Sequence, residues 1–385
     1  MDDIESLEQR VRDFVRAEVI PFEQDPRRDA HGPTDDLVTD LRARARAAGV
    51  LTPHIRADGT HLSHRDTARI LIASGHSPLG PLACNTAAPD EGNMFLLGHV
   101  ASDEQKARFL APLIRGEARS AFFMTEPADI GGAGSDPSML KTEARADGNH
   151  WVISGQKTFI TGAEGARVGL IMAMTEAGAT LFLTDLPDPA IRIDRVLDTL
   201  DGSMPGGHSR ITIDNLRLPA SHILGAPGDG FRLAQVRLAP ARLTHCMRWT
   251  GLALRAQDIA TDYACTRHSF GKPLIDHEGV GFALAQNQID LQVCSMMIDW
   301  CADALDRGEQ ANVESSMAKV EVSERLFQIA DRCVQAMGGT GITDDTIVAT
   351  LFRETRAFRI YDGPTEVHKW SLAKKIKRAH AERSA

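Results

Sequence analysis

The chain has 385 residues, enough for two or three domains, each with its own core. It carries 43 Lys and Arg against 52 Asp and Glu, a formal net charge of −9. This balance excludes a polycation that binds nucleic acid or an anionic membrane. No apolar run reaches the roughly 18 residues of a membrane span, and the acidic residues 1–8 are unlike a signal peptide. We therefore expect a soluble, cytoplasmic protein with no membrane insertion.

The six cysteines lie far apart along the chain and form no Cys-x-x-Cys pair. They are Cys84, Cys246, Cys265, Cys294, Cys301 and Cys333. Such spacing offers neither a zinc ribbon nor a redox dithiol, so we expect no metal site. Most of these residues are predicted to be buried free thiols.

The pattern of apolar residues predicts helices, then strands, then helices. Helical spacing occurs in residues 4–15, 37–48 and 67–74. Short apolar runs separated by Gly, Asp and Pro follow at 151–153, 159–161, 168–172, 180–183 and 210–216. Helical periodicity returns at 231–267, 281–306, 313–337, 344–359 and 365–378. The sequence therefore predicts an α+β multidomain chain with an N-terminal helical domain at 1–119, a middle β domain at 120–230 and a C-terminal helical domain at 231–385.

Two glycine runs, 131–134 and 338–341, are candidates for backbone that approaches a phosphate or sugar closely. Neither has the G-x-G-x-x-G pattern between a strand and a helix, and neither is followed by Lys-Ser/Thr as in a P-loop. Taken alone, both runs would be ordinary turns.

Six ordered motifs are more specific. They are T-E-P at 125–127, G-S-D at 134–136, G-Q-K-T-F-I-T at 155–161, R-H-S-F-G-K-P-L at 267–274, Q-A-M-G-G-T-G at 335–341 and I-Y-D-G-P-T-E-V at 360–367. In this order they resemble the acyl-CoA dehydrogenase family over essentially the whole chain. The resemblance implies that family's fold, in which an N-terminal helical domain is followed by a middle β-barrel or sandwich and a C-terminal four-helix bundle.

The resemblance also implies a reaction. An acyl-CoA would lose its α-proton to a base and its β-hydrogen as hydride to N5 of FAD, giving a 2,3-enoyl-CoA. The electrons would then pass to an electron-transfer flavoprotein.

Cofactor contacts are implied residue by residue. The set at the flavin ring is Phe123, Thr125, Phe159 and Thr161, with Thr161 near N5. The remaining cofactor set is Arg267, Phe270, Gln335, Gly338, Gly339, Thr365 and Glu366. In relatives the groups around Arg267 and Gln335 reach the ADP part of FAD from a neighbouring subunit, which implies a homodimer or homotetramer. Ser135 is implied to lie close to both flavin and CoA.

Each of these residues has an ordinary structural alternative. A threonine in a strand is usually a β-former, an isolated Phe159 is more often a core residue, and an isolated Arg267 is more often a solvated helix charge. Their joint order favours the cofactor interpretation.

Asp362 stands where most relatives place a catalytic glutamate. Some relatives carry the glutamate on the first bundle helix, but the matching residue here is Ala241, so no second carboxylate competes. Loss of hydration beside flavin and an acyl chain would raise the pKa of Asp362 and make it a better base. The alternative is that Asp362 only caps the last helix.

The resemblance implies that an aspartate at this position occurs in at least two branches of the superfamily. Residues 85–93, 238–248 and 362–368 resemble the branch of acyl-CoA dehydrogenase family members 10 and 11, which is associated with 4-hydroxy acids as CoA thioesters. The other branch is nitroalkane oxidase. The three segments favour the first.

Arg242, His245 and Arg248 recur every three residues and are predicted to lie on one side of the first bundle helix. If that side borders the acyl cavity, they would recognise a hydroxyl or phosphate on the acyl chain. A polar helix face at a subunit boundary is the alternative.

Three functions remain open from the sequence. The leading one is an FAD-dependent acyl-CoA dehydrogenase, and the rival on the same fold is a nitroalkane-type oxidase that also uses Asp362 as its base. The third is a flavin-free binding protein. The intact set of Thr125, Thr161, Arg267 and Gln335 argues against the third, because a scaffold has no need of it.

Overall fold

The computed structural model describes residues 3–56 and 59–384. Its contacts divide the chain into two compact units. Unit 1 comprises Met1–Glu23, Leu62–Pro81 and Arg242–Ala385, and unit 2 comprises Gln24–His61 and Leu82–Ala241.

The helices, in chain order, are α1 (Ile4–Phe14), α2 (Asp35–Ala47), α3 (His64–Ser74), α4 (Gly80–Ala83), α5 (Asp90–Val100), α6 (Asp103–Gln105), α7 (Ala111–Ile114), α8 (Gly230–Thr266), α9 (Glu278–Asp306), α10 (Asn312–Met337), α11 (Ile347–Phe358) and α12 (Thr365–Ser384). The strands are β1 (Arg28–Asp29), β2 (Gly32–Pro33), β3 (Ser120–Phe123), β4 (Glu143–Asp147), β5 (His150–Thr161), β6 (Val168–Thr175), β7 (Gly178–Asp185), β8 (Ile191–Leu197), β9 (His208–Pro219), β10 (Ile223–Leu224), β11 (His268–Ser269) and β12 (Lys272–Pro273).

Unit 2 is built around one eight-stranded sheet. Its order is β10-β7-β6-β4-β5-β9-β8, and β3 joins β6 in parallel. Successive residues of β6 alternate between two cores: Leu170 and Met172 belong to one apolar cluster, Ile171 and Ala173 to the other. The first cluster also contains residues of α5 and of the start of α8. Both faces of the sheet are therefore covered by apolar groups at β6.

Unit 1 is helical. Helix α10 packs against α9, α11 and α12, and α3 packs against α1 and α9. The buried residues of α10 recur at helical spacing along one side, from Ala318 through Val322 to Ile329. Among the described residues, no helix is long and apolar enough to cross a membrane.

The predicted order of helices, sheet and helices is confirmed, and so is the fold class. Several helix ends differ from the predicted ranges: α3 begins at His64 rather than 67, and α9 begins at Glu278 rather than 281. Helix α11 begins at Ile347 rather than 344, because the Thr346 hydroxyl accepts a hydrogen bond from the Val348 amide and caps the helix there. Helix α12 continues past 378 to Ser384. Five of the six cysteines are buried and Cys265 is exposed. The boundaries at 119/120 and 230/231 stay predictions.

Candidate flavin and base sites

The G-x-K-x-F-I-T motif lies on β5, which carries a bulge between Lys157 and Ile160. Phe159 sits in this bulge with a left-handed φ of 55°, and its ring is 60% exposed. An exposed phenylalanine in this conformation is uncommon. The bulge turns the ring out of the sheet, where a flat ligand can reach it.

The T-E-P motif is held against the same strand. The Thr158 amide donates to the Thr125 carbonyl at 2.9 Å. The Glu126 carboxylate accepts hydrogen bonds from the Thr142 hydroxyl and from the amides of Lys141 and Thr142 at 2.6–2.8 Å. The two motifs, 30 residues apart, therefore form one structure, and Thr125 lies half-buried beside the bulge.

Thr161 ends β5 directly opposite His208 on β9. Its Oγ1 lies 2.9 Å from Nδ1 of His208, and Nε2 of that ring lies 2.9 Å from Oδ2 of Asp201. Sequence reasoning missed His208 and Asp201. His208 could be linked to Thr161 only through its cross-strand position, and that position is known only when the register of β5 and β9 is known.

The residues predicted for the ADP part of FAD lie on exposed backbone of unit 1. Phe270 stands at the turn of the β11–β12 hairpin with φ of 50° and is 95% exposed. Arg267 and Gln335 are exposed, and no atom lies within 4 Å of where a Cβ would stand on Gly338 or Gly339. These groups are all open to a ligand.

The other predicted cofactor residues, Phe123, Thr365 and Glu366, differ from one another in how accessible their side chains are to a ligand. Phe123 is fully buried in the sheet core with Ile171 and Phe182, so its side chain is not available to a cofactor and the prediction is left with the backbone alone. The Thr365 hydroxyl donates to Glu324 at 2.7 Å inside unit 1. Glu366 and Ser135 are exposed and accessible.

Asp362 lies in the turn before α12 with a left-handed φ of 54°. Its Oδ2 is 3.3 Å from Nε2 of His245, while Nε of Arg242 donates to its backbone carbonyl at 3.0 Å. Two of the three residues predicted on one side of α8 thus meet the predicted base. The third, Arg248, is buried in unit 1.

Two further groups surround this turn. Nζ of Lys319 donates to the Gly363 carbonyl at 2.7 Å, and Nε2 of His368 lies 3.2 Å from the Asp362 carbonyl oxygen. Burial lowers the pKa of Lys319 to about 8, although the charge of Asp362 acts in the opposite direction. Burial, with the charges of Arg242 and Lys319, lowers the pKa of His368 to about 4. His368 is therefore neutral at pH 7.

Sequence reasoning did not assign Lys319 or His368 to the site. The sequence pattern could have singled out Lys319, because it occupies a buried position of α10 between Ala318 and Val322 where an apolar residue is expected. A lysine there needs a polar partner, and the Gly363 carbonyl supplies it.

The described side chains suit FAD. A guanidinium such as that of Arg267 matches a diphosphate through its parallel donors, and open glycine backbone permits close approach. The exposed rings of Phe159 and Phe270 offer flat apolar surface, and the hydroxyls of Thr125 and Thr161 offer polar contacts at the end of the sheet.

Comparison with known proteins agrees with these features. The acyl-CoA dehydrogenase N-terminal, middle and C-terminal domain families match residues 1–117, 121–216 and 228–377. The Mycobacterium tuberculosis protein named "Probable acyl-CoA dehydrogenase FadE2" is 33% identical, with 95% of this chain and 93% of that protein covered. Acyl-CoA dehydrogenase family member 10 of Mus musculus is 30% identical over 96% of this chain, which spans 36% of that longer protein.

A solved structure from Mycobacterium abscessus, assigned to the acyl-CoA dehydrogenases, has a TM-score of 0.89 and 33% identity. It covers 100% of this chain, which in turn covers 99% of it. The resemblance to the branch of family member 10 is confirmed, and FAD is the cofactor of this fold. The chain belongs to the acyl-CoA dehydrogenase family, a family of flavoprotein oxidoreductases that act on acyl-CoA.

Proposed function

We propose that this chain is an FAD-dependent acyl-CoA dehydrogenase in which Asp362 removes the α-proton of an acyl-CoA and yields a 2,3-enoyl-CoA. The observation that carries the proposal is the Asp362 turn, where the carboxylate lies 3.3 Å from His245 Nε2 and Arg242 holds the backbone carbonyl. A base must be held in place against its substrate, and these contacts hold it.

The environment of Asp362 suits a base. The negative charge of Asp362 acts on the cations of Arg242 and Lys319, so the carboxylate has cationic neighbours, and the ionised carboxylate is the form that accepts a proton. The side chain is 23% exposed, so it is accessible to a ligand.

We assign the FAD ring to Thr125, Phe159 and Thr161, and we assign Arg267, Phe270 and the glycines at 338 and 339 to the ADP part of an FAD held by a neighbouring subunit, as the family resemblance implies. When bound, FAD supplies the acceptor for the hydride that leaves the β-carbon. Thr125 and Thr161 would orient the ring through their hydroxyls. The electrons would then leave to an electron-transfer flavoprotein, as the family resemblance implies.

The substrate is proposed to be an acyl-CoA, with Ser135 at the CoA side. Resemblance to the branch of family member 10 supports a 4-hydroxy acyl-CoA. Arg242 and His245 already contact Asp362, so we propose that they position the base first and that direct recognition of acyl oxygens is secondary.

A homodimer or homotetramer is part of the proposal. Helix α9 exposes the large apolar side chains of Phe282, Ile289, Met296 and Trp300. The first three are spaced by seven residues, which places them along one line of the helix. Such a stripe is typical of a subunit interface.

The test is anaerobic bleaching of the flavin absorbance at about 450 nm, a property of flavins in general. Straight-chain, branched and 4-hydroxy acyl-CoAs are added to the wild type, to Asp362→Asn and to the control Asp331→Asn, which changes an exposed aspartate of α10. We expect one substrate class to bleach the wild type and the control at equal rates and the Asp362→Asn variant at least roughly 100-fold more slowly.

Bleaching of Asp362→Asn at the wild-type rate would remove Asp362 from the mechanism. If no thioester bleaches the FAD-loaded wild type, the proposed substrate class is wrong. Anaerobic bleaching by a nitroalkane, followed by reoxidation of the flavin when oxygen is admitted, would then identify the rival oxidase.

A further inference from the structure

The hydrogen-bonded chain Asp201–His208–Thr161 lies in unit 2 at the end of β5. Both bonds are 2.9 Å long, and the side chains of His208 and Asp201 are largely buried. Thr161 and His208 face each other directly across the β5–β9 pair, so the two strands fix their separation. The pairing of β5 with β9 does not itself require a carboxylate hydrogen-bonded to Nε2 of the histidine.

The direction of the hydrogen bonds follows from the carboxylate. Burial opposes the charged form of Asp201, but the contacts with His208 and Thr199 outweigh it and leave the pKa of this carboxyl lowered. An ionised carboxylate only accepts, so Nε2 of His208 carries the hydrogen and donates it. In the neutral ring Nδ1 is then an acceptor, and the Thr161 hydroxyl must donate to it.

A hydroxyl that donates to His208 has only lone pairs left for another partner. We infer that Asp201 and His208 hold Thr161 as a hydrogen-bond acceptor toward the flavin, and so favour the reduced cofactor. This inference rests on the proposed position of the ring at Thr161. Nitrogen N5 of a flavin carries a hydrogen only when the ring is reduced, so an acceptor at that point stabilises the reduced form relative to the oxidised form. His208 and Asp201 are thus positioning residues that act through Thr161.

The test is the midpoint potential of the bound flavin, measured by chemical reduction against a reference dye. In Asp201→Asn the side-chain amide can donate to Nε2, which moves the ring hydrogen to Nδ1 and turns the Thr161 hydroxyl into a donor. We expect the ratio of reduced to oxidised flavin at a fixed potential to fall about tenfold, which is about 30 mV lower for a two-electron couple. Loss of a negative charge alone would move the potential upward, so the sign separates the two causes.

A double-mutant cycle with Thr161→Val decides whether the effect passes through the hydroxyl. In the Thr161→Val background, Asp201→Asn should change the ratio less than about twofold, whereas Thr161→Ser should keep the wild-type potential. The charge control is Asp147→Asn, which alters an exposed carboxylate paired with Arg217 and should have no effect. An equal shift by Asp201→Asn in both backgrounds, or an upward shift, would overturn the inference.

The potential is measured without substrate, so its outcome is separate from that of the proposed reaction. If the protein binds FAD but no thioester bleaches it, the proposed substrate class is wrong. The double-mutant cycle still decides the role of Thr161 in that case. Protein that binds no FAD overturns both proposals.

Discussion

Nζ of Lys157 lies 3.0 Å from Oε1 of Glu126, and neither side chain exposes any surface. Lys157 belongs to the G-x-K-x-F-I-T motif and Glu126 to T-E-P, so this ion pair joins the two motifs that carry the flavin assignments. The lysine also donates to the Met124 carbonyl at 3.2 Å. Burial opposes the charge on Glu126, but Lys157 and hydrogen bonds from Thr142 and Lys141 lower the pKa of its carboxyl. Both motif residues are therefore structural, and they place the neighbours Thr125 and Thr158.

Removal of one partner of this pair should strongly destabilise unit 2. Lys157→Met leaves a buried carboxylate without its cation, and we expect the free energy of unfolding to fall by about 3–5 kcal/mol. The measurement is guanidinium unfolding followed by circular dichroism. The matched control is Arg145→Met, which breaks the Arg145–Glu143 pair on β4, whose side chains are 83% and 60% exposed; it should change stability little. Equal effects of the two substitutions would show that the buried pair has no special role.

Two histidines of unit 1, the half-buried His76 and the buried His368, should make stability depend on pH. Burial, with the nearby charges of Arg12 and Arg255, lowers the pKa of His76 from 6.5 to about 4, and the pKa of His368 is also about 4. Below pH 6.5 the unfolded chain binds protons that the folded chain does not, so the folded state loses stability as the pH falls from 6.5 towards 4. Well above pH 6.5 both histidines are neutral in the folded and the unfolded chain, so they no longer make the free energy of unfolding depend on pH.

The check on these histidines is the thermal midpoint at pH 7.5 and at pH 5. His76→Gln keeps a neutral group that can accept from Arg12, which lies 3.1 Å from the ring, and it should reduce the difference between the two midpoints. His99→Gln, on an exposed part of α5, serves as the control and should leave the difference as in the wild type. A pH response that His76→Gln does not alter would assign the effect to other groups.

The sequence predicted the helices and strands because their apolar spacing is local. Helices α1, α2 and α3 match the predicted segments 4–15, 37–48 and 67–74 to within three residues at each end, and the alternation along β6 follows its two cores. The ordered motifs predicted the family, because a set of six in this order reflects the whole fold; the individual site residues stay predictions.

Other features depend on pairings that no local pattern specifies. The left-handed backbone of Phe159 arises from a bulge in β5, whose register against β9 had to be known first. Lys319 is more than 40 residues from Asp362, and His208 is 47 from Thr161. Tertiary packing brings these groups together, so spacing along the chain could not predict them.

The apolar stripe on α9 should hold subunits together. Met296 is 61% exposed in the single chain, and a glutamate there would place a charge inside a dry interface, so Met296→Glu should dissociate the oligomer. Size-exclusion chromatography with light scattering measures the mass. The control is Ile193→Glu, at an exposed apolar residue of β8, and it should leave the mass unchanged. A wild-type chain that runs as a monomer would contradict the proposed homodimer or homotetramer.

The backbone conformation of Gly363 shapes the turn that holds Asp362. Its φ is 102°, and a Cβ there would stand 2.7 Å from Nε2 of His368. Gly363→Ala should therefore cost about 1–3 kcal/mol of stability and shift the Asp362 turn, which would slow bleaching of the flavin by acyl-CoA. Gly279→Ala, on α9 with nothing within 4 Å, is the control and should change neither property. Normal bleaching by Gly363→Ala would show that the turn tolerates a side chain.

Substitution of Arg242 tests whether the cations of α8 position the base Asp362 or bind the substrate. Its Nε donates to the Asp362 carbonyl at 3.0 Å, so Arg242→Met removes a charged hydrogen bond that positions the base. A contact of this kind contributes about 1.5–3 kcal/mol, and we expect the bleaching rate to fall roughly 10- to 100-fold. The fall should be the same for plain and 4-hydroxy acyl-CoAs, because both depend on the same proton transfer. Arg242→Lys should recover part of the rate. A loss confined to oxygenated acyl-CoAs would instead assign Arg242 to substrate recognition, because positioning of the base cannot distinguish the two substrates.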